Sequence, residues 1–209
     1  MTAKHETIQA KIQVTKHGTM QQVVQKIEQK SAQALAILTA DHDIYCAMPE
    51  DLADIVCIYN QNIAQKQATA DLQPVSIAQR QAWFDAHYLV NNRPIFVVKN
   101  HSGKMVAWGS FSNLYDRPAY HISSEISIYV DKDSQRQGLA KQLVLWMLAI
   151  APELGIHNVV ALIFAHNQPS IRLFQSLGFS QWGQMPQVCD MQGFYADVIM
   201  LGKAVISPV

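Results

Sequence analysis

The most constraining stretch of this chain is a junction. A mostly apolar run, Ser124-Glu125-Ile126-Ser127-Ile128-Tyr129-Val130, passes through a polar turn, Asp131 to Gln137, into Gly138-Leu139-Ala140-Lys141 at the head of an amphipathic segment. Strand, turn and helix in direct succession leave the first N–H groups of the helix without intrahelical partners, and the helix dipole favours negative charge there. A diphosphate fits such a place. Gly138 permits close backbone approach, Ala140 keeps the next turn small, and Arg136 and Lys141 add charge-assisted contacts. The three spaced glycines of a dinucleotide fingerprint are missing, as is a triphosphate P-loop.

The rest of the chain supplies the frame around this junction. Pro49-Glu50-Asp51 suits a first helical turn, with Leu52, Ile55, Val56, Tyr59 and Ile63 as a buried stripe. Ser76 and Gln79 form a capping box for a second helix through Trp83, Phe84 and His87. A hairpin is predicted from residues 95–99 and 105–111 around the turn Asn100-His101-Ser102-Gly103, followed by the strand at 124–130. The helix after Gly138 places Leu139, Leu143, Trp146, Met147 and Ile150 on one face and stops near Gly155. Residues 159–164 form a continuous apolar run, as expected of a strand covered on both faces; Asn167-Gln168-Pro169-Ser170 opens a short helix closing at Gly178, and 198–201 reads as a final strand. This order predicts an α/β layered fold whose sheet is antiparallel first and partly parallel later.

Residues 1–43 are rich in Gln and Lys, with Met20, Val23, Val24, Ile27, Ala34, Leu35 and Leu38 compatible with one helical face. They are expected to be an N-terminal helical extension preceding one main domain, 44–209. A 209-residue chain that is 49% hydrophobic has enough apolar material for that single core. Sixteen basic and sixteen acidic side chains cancel, which excludes an overall positive field for nucleic acid or an anionic membrane. The polar start, the lack of a bilayer-length apolar run and three cysteines without paired spacing predict a cytoplasmic protein with reduced thiols. No metal site is expected: His121 has no second ligand at suitable spacing.

Gln135-x-x-Gly138-x-Ala140, in its strand-to-helix context, resembles the (Gln/Arg)-x-x-Gly-x-(Gly/Ala) pattern of GNAT acetyltransferases. Further blocks in the same order extend the resemblance over 44–205 and bring it closest to the phosphinothricin and methionine-sulfoximine acetyltransferase branch. They are Ile58-Tyr59-Asn60, Ala82-Trp83-Phe84, the run 124–130, Asn167 through Gly178-Phe179, and Gly183 to Val188. The resemblance implies the GNAT acyltransferase fold, acetyl-CoA as co-substrate, a small amine as acceptor and a homodimer. It also implies that the main chain at Ile128, Tyr129 and Val130 pairs with the pantetheine arm and that Gln135, Arg136, Gln137, Gly138, Leu139, Ala140 and Lys141 hold the pyrophosphate. Asn167, with Ser170, would contact the same arm; each also suits the start of a helix.

An aliphatic amine is neutral only to about one part in a thousand at pH 7, a handicap of about 4 kcal/mol, so a base is useful. Glu125 stands where this branch carries a glutamate and is the candidate general base. It shares a strand face with Ser127 and Tyr129 provided no bulge intervenes, as one often does in the superfamily. Phe174 replaces the histidine or tyrosine of relatives and cannot move a proton, but a thiol of pKa about 8.5 leaves without a strong acid. His121 stands where close relatives have an arginine suited to a carboxylate; Arg117 and Arg80 are the alternatives for that part, and Tyr120 and Tyr195 are further candidate acceptor contacts. Three functions follow from these residues: acetyl transfer to a small amine, transfer to a peptide or protein amine, and, given Phe174, a non-catalytic acyl-CoA sensor.

Overall fold

A computed structural model describes residues 42–89 and 93–206. The helix expected from Met20 to Leu38 lies outside the described residues. Seven strands form one sheet in the order β1-β2-β3-β4-β5-β7-β6. They are β1 (His42–Cys46), β2 (Ile95–Asn100), β3 (Met105–Asn113), β4 (Ser123–Val130), β5 (Asn158–Phe164), β6 (Ser180–Asp190) and β7 (Tyr195–Ala204). The four α-helices among the described residues are α1 (Leu52–Asn60), α2 (Ile77–Leu89), α3 (Leu139–Ile150) and α4 (Gln168–Ser176). Every pairing is antiparallel except β4 with β5, so the expected mixed sheet is present.

Two strands were not anticipated. β1 pairs with β2 from His42↔Asn100 to Cys46↔Phe96, so the sheet begins two residues before the domain start expected at 44. β6 pairs with β7 through two register shifts, around Gln181/Gly183 and Met185/Cys189. β7 itself runs well beyond the expected 198–201.

The sheet is covered on both faces, which explains why β2 reads Ile-Phe-Val-Val without alternation. Phe96 and Val98 join Phe111, Ile126, Leu143, Met147 and Val159 in the larger core under α3 and α4. Ile95, Val97 and Trp108 face the other way and pack with Leu52, Ile55, Tyr59 and Phe84 under α1 and α2. Full burial of side chains such as Leu143 and Met147 stabilises by roughly 1.5–3 kcal/mol each. Gly109 is required where β3 passes α3, because a Cβ there would meet Ile128 Cδ1 at 2.7 Å, Met147 Sδ at 2.9 Å and the Ser127 carbonyl at 3.0 Å.

Local chemistry sets the helix ends. The capping box at α2 is formed, with Ser76 N–H donating to Gln79 Oε1 at 2.7 Å and Gln79 N–H to Ser76 Oγ at 3.2 Å. Asn167 caps α4, its Oδ1 accepting from Ser170 N–H at 3.2 Å. α3 ends in a tight turn containing Pro152, closed by Gly155 in the left-handed region at φ 71°.

Candidate functional site

β4 and β5 pair only at Ser123↔Asn158, Ser124↔Val159 and Glu125↔Val160. Beyond Glu125 the two strands diverge while each stays bonded on its outer side, β4 to β3 and β5 to β7. Their inner edges, Ile126 to Val130 and Ala161 to Phe164, therefore carry main-chain groups that the sheet does not use, and they line a cleft of about 770 Å³. An extended ligand arm can bond to such an edge as an added strand does.

At one end of the cleft stands the 135–141 turn. Arg136 and Gly138 both occupy the left-handed region, φ 62° and 80°, and the first helical bond of α3 runs from Gln142 N–H to the Gly138 carbonyl at 3.1 Å. No side chain caps the helix at Gly138, so the N–H groups of Leu139, Ala140 and Lys141 await an acceptor. A Cβ on Gly138 would meet nothing closer than Gln142 Nε2 at 3.8 Å; the backbone angle, more than space within the protein, calls for glycine. Gln135, Arg136, Gly138, Leu139, Ala140 and Lys141 line the cleft, whereas Gln137 stays off its wall. Sequence reasoning missed the buttress beneath the turn. The carboxylate of buried Asp131 accepts from Gln61 Nε2 and Lys104 Nζ, both at 3.0 Å, and Gln61 Oε1 accepts from Lys132 N–H at 2.9 Å. Burial opposes ionisation of Asp131, but the bonds from Gln61 and Lys104 outweigh it and hold the carboxyl below its usual range.

Glu125 sits where the strands part. β4 pairs with β3 in unbroken register from Asn113↔Ser124 to Ala107↔Val130, so no bulge intervenes and Glu125, Ser127 and Tyr129 share one face, a direction the sequence left open for Tyr129. That face looks toward α1 and α2: the Tyr129 ring stacks on Trp108 at 4.5 Å and meets Tyr59 edge-on at 5.1 Å. Ile126, Ile128 and Val130 pack into the opposite core. Glu125 lines the cleft, and burial alone pushes its carboxyl pKa above the ordinary glutamate range. Burial likewise pushes the Tyr129 phenol up, which keeps it protonated as a donor. Phe174 is buried against Phe179 and lines the cleft with a side chain that moves no proton.

On the side of the sheet that Glu125 faces, the structure gathers residues from distant positions. Ser112 lies opposite it on β3 and is hydrogen-bonded to His87 Nε2 at 3.1 Å. His87 Nδ1 bonds the Trp83 carbonyl at 2.7 Å and so carries the proton; burial lowers the imidazole pKa, and the neutral ring accepts from Ser112. Arg80 lies over the rings of Tyr59 and Trp83, 4.2 and 4.8 Å from their centroids. The loop between α1 and α2 brings Gln65, Gln67, Ala68, Thr69 and Ala70 to the cleft. Tyr59 and Trp83 stand in blocks of the family resemblance and Arg80 is the alternative carboxylate partner read from the sequence, whereas Ser112 and the loop residues stand in no motif.

The other expected contacts fall in two groups. Ile128, Tyr129, Val130, Asn167 and Ser170 line the cleft with Glu125. Arg117, Tyr120, His121 and Tyr195 do not. Tyr120 pairs edge-on with Tyr115 at 4.8 Å, His121 Nδ1 donates to the Pro118 carbonyl at 2.8 Å, and the His121 carbonyl accepts from Arg93. Arg117 is exposed ahead of that turn, and Tyr195 is 66% exposed at the start of β7. Asp197 has a structural task, accepting from Gln187 N–H and Gln184 Nε2 across the irregular part of β6. Among the described residues no three His, Cys, Asp or Glu side chains gather as a metal site requires, and no helix is long and apolar enough to cross a membrane.

A strand-edge cleft ending at an uncapped helix N-terminus agrees with the sequence pattern of the Acetyltransferase (GNAT) family, which matches residues 59–179. The chain belongs to the GNAT acetyltransferase family. It is an acetyl-CoA-dependent N-acetyltransferase. YwnH of Bacillus subtilis, a candidate phosphinothricin acetyltransferase, is 41% identical over 153 residues, covering 73% of this chain and 93% of that protein. The L-methionine sulfoximine/L-methionine sulfone acetyltransferase of Pseudomonas paraeruginosa is 34% identical over 151 residues, 72% of this chain and 87% of the relative. The fold also matches yncA from Salmonella typhimurium, solved with its cofactor acetyl-CoA, at a TM-score of 0.75 and 29% identity over 81% of this chain and 97% of that one.

Proposed function

We propose that the protein moves the acetyl group of acetyl-CoA directly to the primary amine of a small, amino-acid-like molecule held with it in the cleft. Support for this acceptor class comes from the L-methionine sulfoximine/sulfone activity named for a relative 34% identical. In this reading the pantetheine arm lies along the free edge of β4 at Ile128 to Val130, and the pyrophosphate rests on the N–H groups of the 135–141 turn with Arg136 and Lys141 beside it. The amine approaches from the α1–α2 side.

The observation that carries the chemistry is the Glu125 carboxyl, half-buried at the fork of β4 and β5 with its pKa raised by burial. Glu125 takes a proton from the ammonium group, directly or through a water. The neutral nitrogen attacks the thioester carbonyl, the C–N bond forms, the C–S bond breaks with CoA leaving as a thiolate, and the proton that the new amide nitrogen sheds passes through solvent, which can protonate the thiolate. Phe174 gives no proton to that step, and none is needed from a strong acid.

The test joins calorimetric titration of acetyl-CoA with free-thiol release over a panel of L-amino acids, methionine sulfone, methionine sulfoximine, phosphinothricin, polyamines and short peptides. Binding together with release driven by the amino-acid analogues is expected. Release only with peptides would transfer the assignment to a protein or peptide amine. Binding without release from any amine would favour the acyl-CoA sensor suggested by Phe174.

A further inference from the structure

The α1–α2 loop is closed at its base by Asn60, whose side chain donates to the Val75 carbonyl at 2.9 Å and accepts from Val75 N–H at 3.0 Å. Between those ends the chain runs along the cleft, and three consecutive carbonyls are taken by side chains. The Lys66 carbonyl accepts from His166 Nε2 at 2.7 Å, the Gln67 carbonyl from Asn167 Nδ2 at 3.0 Å, and the Ala68 carbonyl from the Tyr129 hydroxyl at 3.3 Å. At the next residue the Thr69 hydroxyl bonds Tyr59. Lys66 Nζ reaches across to the carbonyls of Met191 and Gln192 in the β6–β7 turn.

The donors come from both sides of the fork. Tyr129 belongs to β4, and His166 and Asn167 follow β5, so one strap of chain is tied to the two strands that diverge to make the cleft. Asn167 is the sharpest case. Family resemblance assigns its side chain to the pantetheine arm, yet here it is 7% exposed, with Oδ1 bonded to Ser170 N–H and Nδ2 to the Gln67 carbonyl. Backbone carbonyls at the rim of an open cleft would otherwise bond water and leave the loop free to shift.

We propose that Tyr129, His166 and Asn167 form a latch on the strap Lys66 to Thr69, as positioning residues that set the shape of the acceptor end of the cleft. They thereby govern affinity for the amine more than affinity for acetyl-CoA. The inference rests on the reading of the cleft as the site of transfer.

Two conservative variants separate the roles. Asn167→Asp keeps an oxygen for the α4 cap but loses the donor to Gln67; Tyr129→Phe keeps the ring on Trp108 but loses the donor to Ala68. In each variant, amide hydrogen exchange at Lys66 and Asp71, whose N–H groups donate to the Ile63 carbonyl and to Thr69 Oγ1 at the two ends of the strap, is expected to quicken about five- to tenfold. The KM for L-methionine sulfone is expected to rise about fivefold or more while the calorimetric Kd for acetyl-CoA stays within about twofold. The double variant should fall short of the product of the single effects, because both donors hold one strap. Unchanged exchange, or a Kd for acetyl-CoA about tenfold weaker in Asn167→Asp with the strap still protected, would overturn the latch. Wild-type protein that fails to bind acetyl-CoA would instead overturn the reading of the cleft, and the latch's role with it.

Discussion

The two sides of the cleft are built by different rules. On the side proposed for the donor, eleven consecutive positions from Asp131 to Lys141 turn the chain from β4 into α3, and what they offer is main chain: N–H groups, two left-handed residues and an uncapped helix start. On the side proposed for the acceptor, which faces α1 and α2, no segment is sufficient alone. Tyr59, Thr69, Trp83, His87, Trp108, Glu125 and Tyr129 come from two helices, a loop and two strands, joined by ring stacking and side-chain hydrogen bonds. A site made from backbone geometry is written in adjacent residues and tolerates exposed, variable side chains. A site made from side chains depends on the packing beneath it.

The largest expected effect separates the two sides. Glu125→Gln should lower kcat about 10²–10⁴-fold while leaving the Kd for acetyl-CoA nearly unchanged, as single-turnover rates and calorimetry would show. Comparable loss of donor binding would mean that the two sides are not separable. Gly109→Ala should break the comparison altogether, since its methyl group presses on Ile128, Met147 and the Ser127 carbonyl beneath both walls. A stability loss of about 1–3 kcal/mol in urea unfolding is expected, with both affinities impaired. Gly138→Val should sharpen it: a β-branched residue at φ 80° disturbs only the turn, weakening acetyl-CoA binding about tenfold while the acceptor KM at saturating acetyl-CoA holds.

The smallest effect concerns stability. Burial raises the Glu125 pKa in the folded state, so the folded protein holds that proton more tightly than the unfolded chain does. The stability it contributes is complete below the unfolded pKa and is lost as pH rises through the raised folded value. Glu125→Gln is therefore expected to melt at a higher temperature than wild type at neutral pH, by differential scanning calorimetry. Equal melting temperatures would show that the carboxyl is not held against burial.

The same contrast explains what the sequence revealed. The order of α1, α2, the β2–β3 hairpin, β4, α3, β5 and α4 was legible because each carries strong periodicity, a cap or a glycine stop, as at Ser76, Gly155 and Asn167. β6 was not, because it is an edge strand with an almost wholly exposed pattern, Pro186 and Gly183 within it, and two register shifts. β1 was hidden by its five-residue length and half-exposed faces at the other edge. Of the candidate site, the donor turn and Glu125 were visible in one contiguous motif. The strap and its three donors were not, since His166 to Lys66 and Asn167 to Gln67 each span 100 residues and leave no local signal. His121 and Tyr195 stand at positions suggested by related sequences, with Arg117 and Tyr120 in the loop beside His121, and all four sit off the cleft wall.

The half-buried glutamate at the strand fork is the proposed base of the acetyl transfer. The pH dependence of kcat/KM for the amine, in wild type and Glu125→Gln side by side, tests it most directly. Wild type should gain rate through an inflection displaced above the ordinary glutamate range, in addition to the titration of the amine itself, and the variant should lack that inflection. An inflection of the same position and size in the variant would contradict the assignment.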